Sequence, residues 1–231
     1  MKFYLSSYKV GNETDKLKAL IPADNKKTAY ISNALDFSND AERRKQSEQS
    51  DIEQLKLFGL DVELFDLRDY FGEKTELEKK IAEFGVIWVR GGNCFVLRQA
   101  IKLSGLDNIL KDLLKKEDIL YGGYSAGVCV LAPTLKGMEL VDDPNVKPYD
   151  TQKETIWDGV GILDYTIVPH YKSDHPESRK VDETVEYMEK NKIPGFRALL
   201  GLFEFREHIL KELKKLPPLA FNNNIEKKEK H

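Results

Sequence analysis

The sequence predicts an α/β fold in which a mostly parallel sheet is covered by helices on both faces, giving three layers. Short apolar segments alternate with longer amphipathic segments, which is the pattern of βαβ units. The segment VIWV at 86–89 is apolar throughout, as expected of a strand covered on both faces. The chain has 231 residues, enough for one domain of this class. We expect a single domain over 1–220 and a frayed polar tail over 221–231.

The first part of the chain predicts strands and helices in alternation. Strands are expected over 2–7, 28–34, 61–67 and 86–89, and helices around 12–20, 39–60 and 76–84. Gly59 and Gly85 close the second and third of these helices, as glycine commonly does.

The second part continues the alternation. Helices are expected over 94–104 and 106–116, then a strand in DILYGGYS, a helix in AGVCVLA that Pro133 ends, a strand in DYTIVPHY and a helix over 176–192. Apolar residues at helical spacing also predict a helix over 203–216. In such folds ligands bind at the carboxyl ends of the parallel strands.

Composition narrows the classes of function. The formal net charge is −3, and 36 basic residues are spread along the chain and offset by 39 acidic ones, which argues against nucleic acid as a partner. No apolar run approaches the roughly 18 residues of a membrane helix. The apolar core of the N-terminal stretch is too short for a signal peptide. Cys94 and Cys129 form neither a disulfide framework nor a zinc spacing. We expect a soluble, cytoplasmic protein.

Ser125 lies in the pattern G-x-S-x-G, from Gly123 to Gly127, between a predicted strand and a predicted helix. A nucleophile at such a turn is held in a strained backbone conformation, and small residues are needed two positions to either side. The following helix N-terminus stabilises negative charge nearby. The pattern therefore indicates a nucleophile, and a helix-capping serine in an ordinary turn is the alternative.

A second turn, Arg90-Gly91-Gly92-Asn93, follows the strand at 86–89. Adjacent glycines let backbone N–H groups approach a ligand, as an oxyanion hole requires, together with the N–H of Ala126 after the nucleophile. A phosphate-binding loop is the rival interpretation, but the lysine and Ser/Thr of a P-loop are missing.

His170 is the candidate general base among four histidines. It follows the apolar strand YTIV at its carboxyl end, whereas His208 lies in a charged segment and His231 is terminal. A metal site formed by His170, Asp174 and His175 is an alternative of low specificity, since all three lie in one loop.

The stretches VRGGNCFVLRQAI, GGYSAGVCVLAPT and IVPHYKSDHPES, in this order and spacing, resemble peptidase family S51, the aspartyl dipeptidase (dipeptidase E) group, with cyanophycinase as a more distant relative. The resemblance covers roughly residues 1–194. It implies a flavodoxin-like fold similar to class I glutamine amidotransferases, with Ser125 as nucleophile and His170 as base. It also implies an oxyanion hole from Gly91 or Gly92 and Ala126, and no metal or organic cofactor.

The reaction that the resemblance implies is removal of an N-terminal residue, typically aspartate, from a short peptide. A cation would have to bind that side chain, and Arg90, Arg98 and Arg179 are candidates. With Asn93 and Tyr124 beside the turns, the predicted substrate-binding set is Asn93, Arg90, Tyr124 and Arg179. The irregular segment 136–159 is expected to lie over the site. Family members occur as monomers and dimers, and both states stay open.

The chain departs from the family pattern at the third member of the triad, the acid. Family members carry an acid in a strand–turn–strand segment after the part that reads NKIP here, and no Asp-Gly or Glu-Gly turn follows it. Glu204 is the nearest acid in sequence, and Asp174 is the other local candidate. The alternative function is therefore a catalytically impaired relative that binds a peptide or a partner. An esterase is disfavoured, because its acid would precede the histidine in the chain.

Overall fold

The computed structural model describes residues 1–191 and 193, and the backbone of residues 196–198 and 204–206. Strands are β1 (Lys2–Ser6), β2 (Lys27–Ile31), β3 (Asp61–Leu64), β4 (Val86–Val89), β5 (Leu120–Tyr124), β6 (Thr166–Val168), β7 (Phe196–Ala198) and β8 (Glu204–Arg206). Helices are α1 (Thr14–Leu20), α2 (Ala41–Lys56), α3 (Lys74–Ile81), α4 (Cys94–Ser104), α5 (Leu106–Leu113), α6 (Ala126–Cys129) and α7 (Ser178–Lys190).

The main sheet has the strand order β3-β2-β4-β5-β1-β8. Its first five strands are parallel, and β8 pairs antiparallel with β1 at one edge. A second, two-stranded parallel sheet joins β6 to β7. The predicted α/β class with a mostly parallel sheet is confirmed.

Both faces of the main sheet are covered, because alternate strand residues enter two separate apolar clusters. Phe3, Ile87 and Tyr121 belong to the larger cluster, which also holds apolar side chains of α3, α4, α5 and α7. Tyr4 and Trp88 belong to the smaller cluster with side chains of α1 and α2. The three-layer arrangement follows.

Helix α6 is shorter than the predicted AGVCVLA helix. It ends at Cys129, after which the carbonyls of Val130, Leu131 and Ala132 accept hydrogen bonds from backbone N–H groups of residues 160–163. These carbonyls are therefore occupied by a returning segment rather than by a further helical turn.

The helix predicted over 203–216 is wrong at its start, since Glu204–Arg206 forms strand β8 against the edge of β1. The unpaired backbone N–H and C=O groups of an edge strand can form hydrogen bonds with a further strand. The local spacing of apolar residues does not reveal this pairing. Residues 207–216 and the predicted tail over 221–231 lie outside the described residues, so the tail stays a prediction. No helix within the described ranges is long and apolar enough to cross a membrane.

Candidate active site

Ser125 joins β5 to α6 in a strained backbone conformation, with φ 50° and ψ −117°. A non-glycine residue with positive φ costs conformational energy and persists where the surroundings enforce it. The Ser125 side chain makes no capping hydrogen bond to α6. The helix-cap alternative is therefore wrong, and the turn has the strained geometry of a nucleophile elbow.

The glycines on either side of Ser125 pack against β4. A Cβ atom on Gly123 would lie 2.8 Å from the carbonyl oxygen of Val89, and one on Gly127 would lie 2.2 Å from the same oxygen. The predicted need for small residues at these positions is confirmed. The neighbour that enforces it is the last carbonyl of the adjacent strand.

The Gly91–Gly92 turn lies directly beside Ser125. A Cβ atom on Gly91 would lie 2.8 Å from the Cβ of Ser125, and Gly92 has a φ of 146° that favours glycine. Within residues 1–191 the backbone N–H groups of Gly91, Gly92 and Ala126 donate to no protein acceptor. Three donors beside Ser125 are thus free to bind an oxyanion.

His170 follows β6 and is 3% exposed, with a positive φ of 65°. Its imidazole stacks on that of His175, with ring centroids 3.8 Å apart and planes 12° from parallel. Burial, and to a lesser degree the neighbouring His175, lowers the pKa of His170 to about 4. The ring is therefore neutral near pH 7, as a general base must be.

A cavity of about 390 Å³ brings the two predicted catalytic residues together. It is lined by Tyr8, Leu35, Phe37, Arg90, Gly91, Gly92, Asn93, Tyr124, Ser125, Val141, Asp142, Asp143, Val146, His170, His175 and Glu177. The predicted position of segment 136–159 over the site is confirmed by the lining residues between 141 and 146.

Ser7 is a partner of His170 that sequence reasoning missed. Its Oγ lies 3.3 Å from Nδ1 of His170 and accepts the backbone N–H of His170 at 2.8 Å. Ser7 lies one residue beyond β1, and nothing in the local pattern distinguishes it from its neighbour Ser6.

The candidate acids are placed differently. The register of β8 sets Glu204 opposite Leu5 of β1, and its side chain lies outside the described part of the structure. Asp174 lines a neighbouring cavity with Ser7 and His170. The assignment of Glu204 as the triad acid stays a prediction.

Arg90 and Tyr124, two predicted substrate-binding residues, line the cavity but face a buried carboxylate. Tyr124 donates to Asp51 at 2.5 Å, and Tyr30 donates to the same carboxylate oxygen at 2.9 Å. Arg90 Nε lies 3.7 Å from that oxygen, and Arg90 Nη1 donates to Ser47 at 3.2 Å. Much of the Arg90 side chain is therefore engaged inside the protein.

Asn93 lines the cavity and also begins α4. Its side-chain oxygen accepts the N–H groups of Phe95 and Val96, and its amide donates to the carbonyl of Asp143 at 3.0 Å. It is an N-cap that also ties the segment over the cavity to the glycine turn.

The other two arginines do not reach the cavity. The Arg179 side chain is 92% exposed on α7, where it lies near Glu183. Arg98 is buried against Asp107 and donates to the carbonyl of Asp158. Arg90 is thus the one predicted arginine among the described lining residues.

Asp142 is a further lining residue that the sequence analysis did not single out, since no local pattern marks it. It accepts the backbone N–H of Cys94 at 2.8 Å. Burial raises its pKa to about 6, against the opposing effect of the Cys94 N–H.

The structure brings together a different set of possible metal ligands from the predicted one, and the arrangement of that set does not suit a metal ion. His170, His175 and Glu177, rather than Asp174, have ligand atoms within 4.8 Å of one another. A metal ion lies near the plane of each imidazole that binds it, whereas these two rings are stacked in nearly parallel planes. The cluster as placed does not converge on one ion.

Comparisons with known proteins identify the family of the chain. The model of peptidase family S51 matches residues 7–199, so the chain belongs to that family. The uncharacterized peptidase Lmo0363 of Listeria monocytogenes is 29% identical over 143 residues, which are 60% of this chain and 64% of that protein. The uncharacterized peptidase Lin0382 of Listeria innocua is 30% identical over 87 residues, 38% of this chain and 39% of its own. The matches thus span less than two thirds of either relative.

Solved structures support the fold. A Listeria monocytogenes protein provisionally assigned to peptidase E superposes with a TM-score of 0.62 at 19% identity, covering 89% of this chain and 98% of its own. A peptidase from an acI-B1 actinobacterium gives a TM-score of 0.53 at 16% identity, over 80% and 74% of the two chains. The predicted flavodoxin-like architecture is confirmed, and family membership places the chain among the peptidases.

Proposed function

We propose that this protein is a serine peptidase that removes the N-terminal residue from short peptides. The observation that carries the proposal is the strained Ser125, whose hydroxyl caps no helix and which lines the same cavity as the neutral His170. The free N–H groups beside Ser125 supply the third requirement, an oxyanion site.

The reaction follows from these three groups. The Nε2 of His170 takes the Ser125 proton as Oγ attacks the peptide carbonyl carbon. N–H groups of Gly91 or Gly92 and of Ala126 hold the oxyanion. His170 then protonates the leaving amine as the peptide bond breaks, and water, deprotonated by the same ring, hydrolyses the acyl-enzyme.

Preference for an N-terminal aspartate is the most specific part of the proposal, and it depends on Arg90. Family resemblance supports it, and Arg90 lines the cavity. The carboxyl groups of Asp142, Asp143 and Glu177 also line it and disfavour a second carboxylate. A test of specificity therefore needs peptides with uncharged N-terminal residues as well.

A catalytically impaired member that binds a peptide or a partner is the second candidate. The contact that favours it is the one at Nδ1 of His170, where the described partner is the hydroxyl of Ser7 rather than a carboxylate. Losing the orienting acid of a triad can lower turnover by about four orders of magnitude.

The test is hydrolysis of the dipeptides Asp-Leu, Glu-Leu, Leu-Leu and Ala-Leu by the purified protein and by Ser125→Ala. We expect cleavage of at least one dipeptide that the variant abolishes. Equal background in both proteins, with both shown to be folded by circular dichroism, would favour the impaired relative.

Short peptides are the partners we propose. Cys94 and Cys129 are free and buried. Free thiols are typical of a reducing compartment, which supports a cytoplasmic location.

A further inference from the structure

Ser7 holds His170 at two points. Its Oγ accepts the backbone N–H of His170 at 2.8 Å and lies 3.3 Å from the ring nitrogen Nδ1. Both residues are buried, at 2% and 3% exposure. One hydroxyl therefore fixes both the backbone and the ring of the proposed base.

The sheet sets the position of Ser7 relative to the nucleophile. β1 and β5 are parallel neighbours, and their register pairs Ser6 with Tyr124. The next residues along the two strands are Ser7 and Ser125. Ser7 therefore leaves the sheet at the same level as the nucleophile, on the adjacent strand.

The chemistry of the base requires an acceptor at Nδ1. A neutral imidazole carries one proton, and His170 can take the proton of Ser125 at Nε2 only when its own proton is on Nδ1. A serine hydroxyl has two lone pairs. One accepts the His170 backbone N–H, and the other can accept Nδ1–H.

We propose that Ser7 is the positioning residue for His170, holding the ring with Nδ1 protonated and Nε2 free toward the cavity. This inference rests on the proposed serine peptidase function. Ser7 takes the place that an acid has in a Ser-His-acid triad, and as a neutral acceptor it stabilises the imidazolium less than a carboxylate does. Glu204, on the strand beside β1, is the competing candidate for the same role.

The first test compares turnover in Ser7→Ala, Ser6→Ala and Glu204→Gln. Ser6 is the matched control, because it is a fully buried serine next to Ser7, at the end of β1, and its hydroxyl donates to the Lys9 carbonyl instead. We expect Ser7→Ala to lower kcat about 100-fold, less than loss of a triad acid, with KM changed less than about threefold. Ser6→Ala should keep kcat within about threefold. Unchanged kcat in Ser7→Ala, with a large loss in Glu204→Gln, would overturn the proposal.

The second test reads the ring itself and needs no substrate. ¹⁵N-labelled histidine spectra of the wild-type protein at pH 7 should show His170 protonated at Nδ1, and Ser7→Ala should shift the population toward Nε2–H. Wild-type protein protonated at Nε2 would contradict the role of Ser7. Absence of hydrolysis in the wild-type protein would instead contradict the peptidase function, so the two failures are distinguishable.

Discussion

The imidazole rings of His170 and His175 stack with centroids 3.8 Å apart, directly beside the cavity that contains Ser125. Burial, and to a lesser degree the neighbouring His175, lowers the pKa of His170, so the His170 ring is neutral near pH 7.

The first prediction concerns the pKa of His170. Titration followed by the C2–H proton resonance should give a value near 4, well below the roughly 6.5 of a free histidine. His175→Phe removes the neighbouring charge, so it should raise the pKa of His170. The value should stay below about 6.5, because burial is the larger cause. A wild-type pKa near 6.5 would show that His170 is solvated rather than buried.

The low pKa of His170 predicts how activity depends on pH. The base acts when neutral, so kcat/KM should persist as the pH falls from 7 and should not decline with a group of pKa 6.5. A pH profile on the best dipeptide measures this. Because Asp142 also lines the cavity and titrates near pH 6, Asp142→Asn is the control that separates its contribution.

The second prediction concerns the packing of the elbow on β4. Gly127→Ala places a methyl group 2.2 Å from the Val89 carbonyl oxygen, so we expect a loss of about 3 kcal/mol in the free energy of unfolding. Gly72→Ala is the control. Its φ is positive, but a Cβ atom added there would meet no atom within 4 Å, so only the backbone penalty of about 1 kcal/mol applies. Equal losses in urea denaturation of the two variants would contradict the close approach.

The third prediction separates a structural from a substrate-binding role for Arg90. Arg90→Met leaves the buried Asp51 without that partner, which should cost about 3 kcal/mol of stability. Adding Asp51→Asn should recover part of the loss, because the two residues are coupled. Lys79→Met, which breaks an exposed pair with Glu76, should cost less than about 0.5 kcal/mol.

Substrate preference completes the test of Arg90. If Arg90 binds the substrate side chain, Arg90→Met should lower kcat/KM for Asp-Leu at least tenfold relative to Leu-Leu. An unchanged ratio of the two dipeptides, together with the loss of stability, would show that Arg90 acts on the fold alone.

Local chemistry accounts for what could be predicted from the sequence. The strand–turn–helix around Ser125 needs small residues at fixed offsets, and the adjacent glycines of Gly91–Gly92 mark a close backbone approach. His170 could be selected because the carboxyl ends of strands gather at one edge of such a fold. These signals lie within a few residues of each group they identify.

Contacts between distant segments account for what could not be predicted. Asp51 is on α2, yet it accepts a hydrogen bond from Tyr124, 73 residues away. Ser7 meets His170 across 163 residues. Sequence spacing also could not show that Arg179 faces outward on α7, or that Glu204 begins a strand at the edge of β1. Each outcome depends on which surfaces pack together, and a single sequence carries no local mark of that.

Active-site labelling tests the central claim most directly. The protein would be treated with a fluorophosphonate at pH 7, and the adduct located by mass spectrometry of the intact protein and its peptides. We predict one covalent adduct on Ser125, absent in Ser125→Ala and formed at least tenfold more slowly in His170→Ala. A folded protein that gains no adduct, or that reacts equally well without His170, would contradict the assignment of Ser125 as a nucleophile activated by His170.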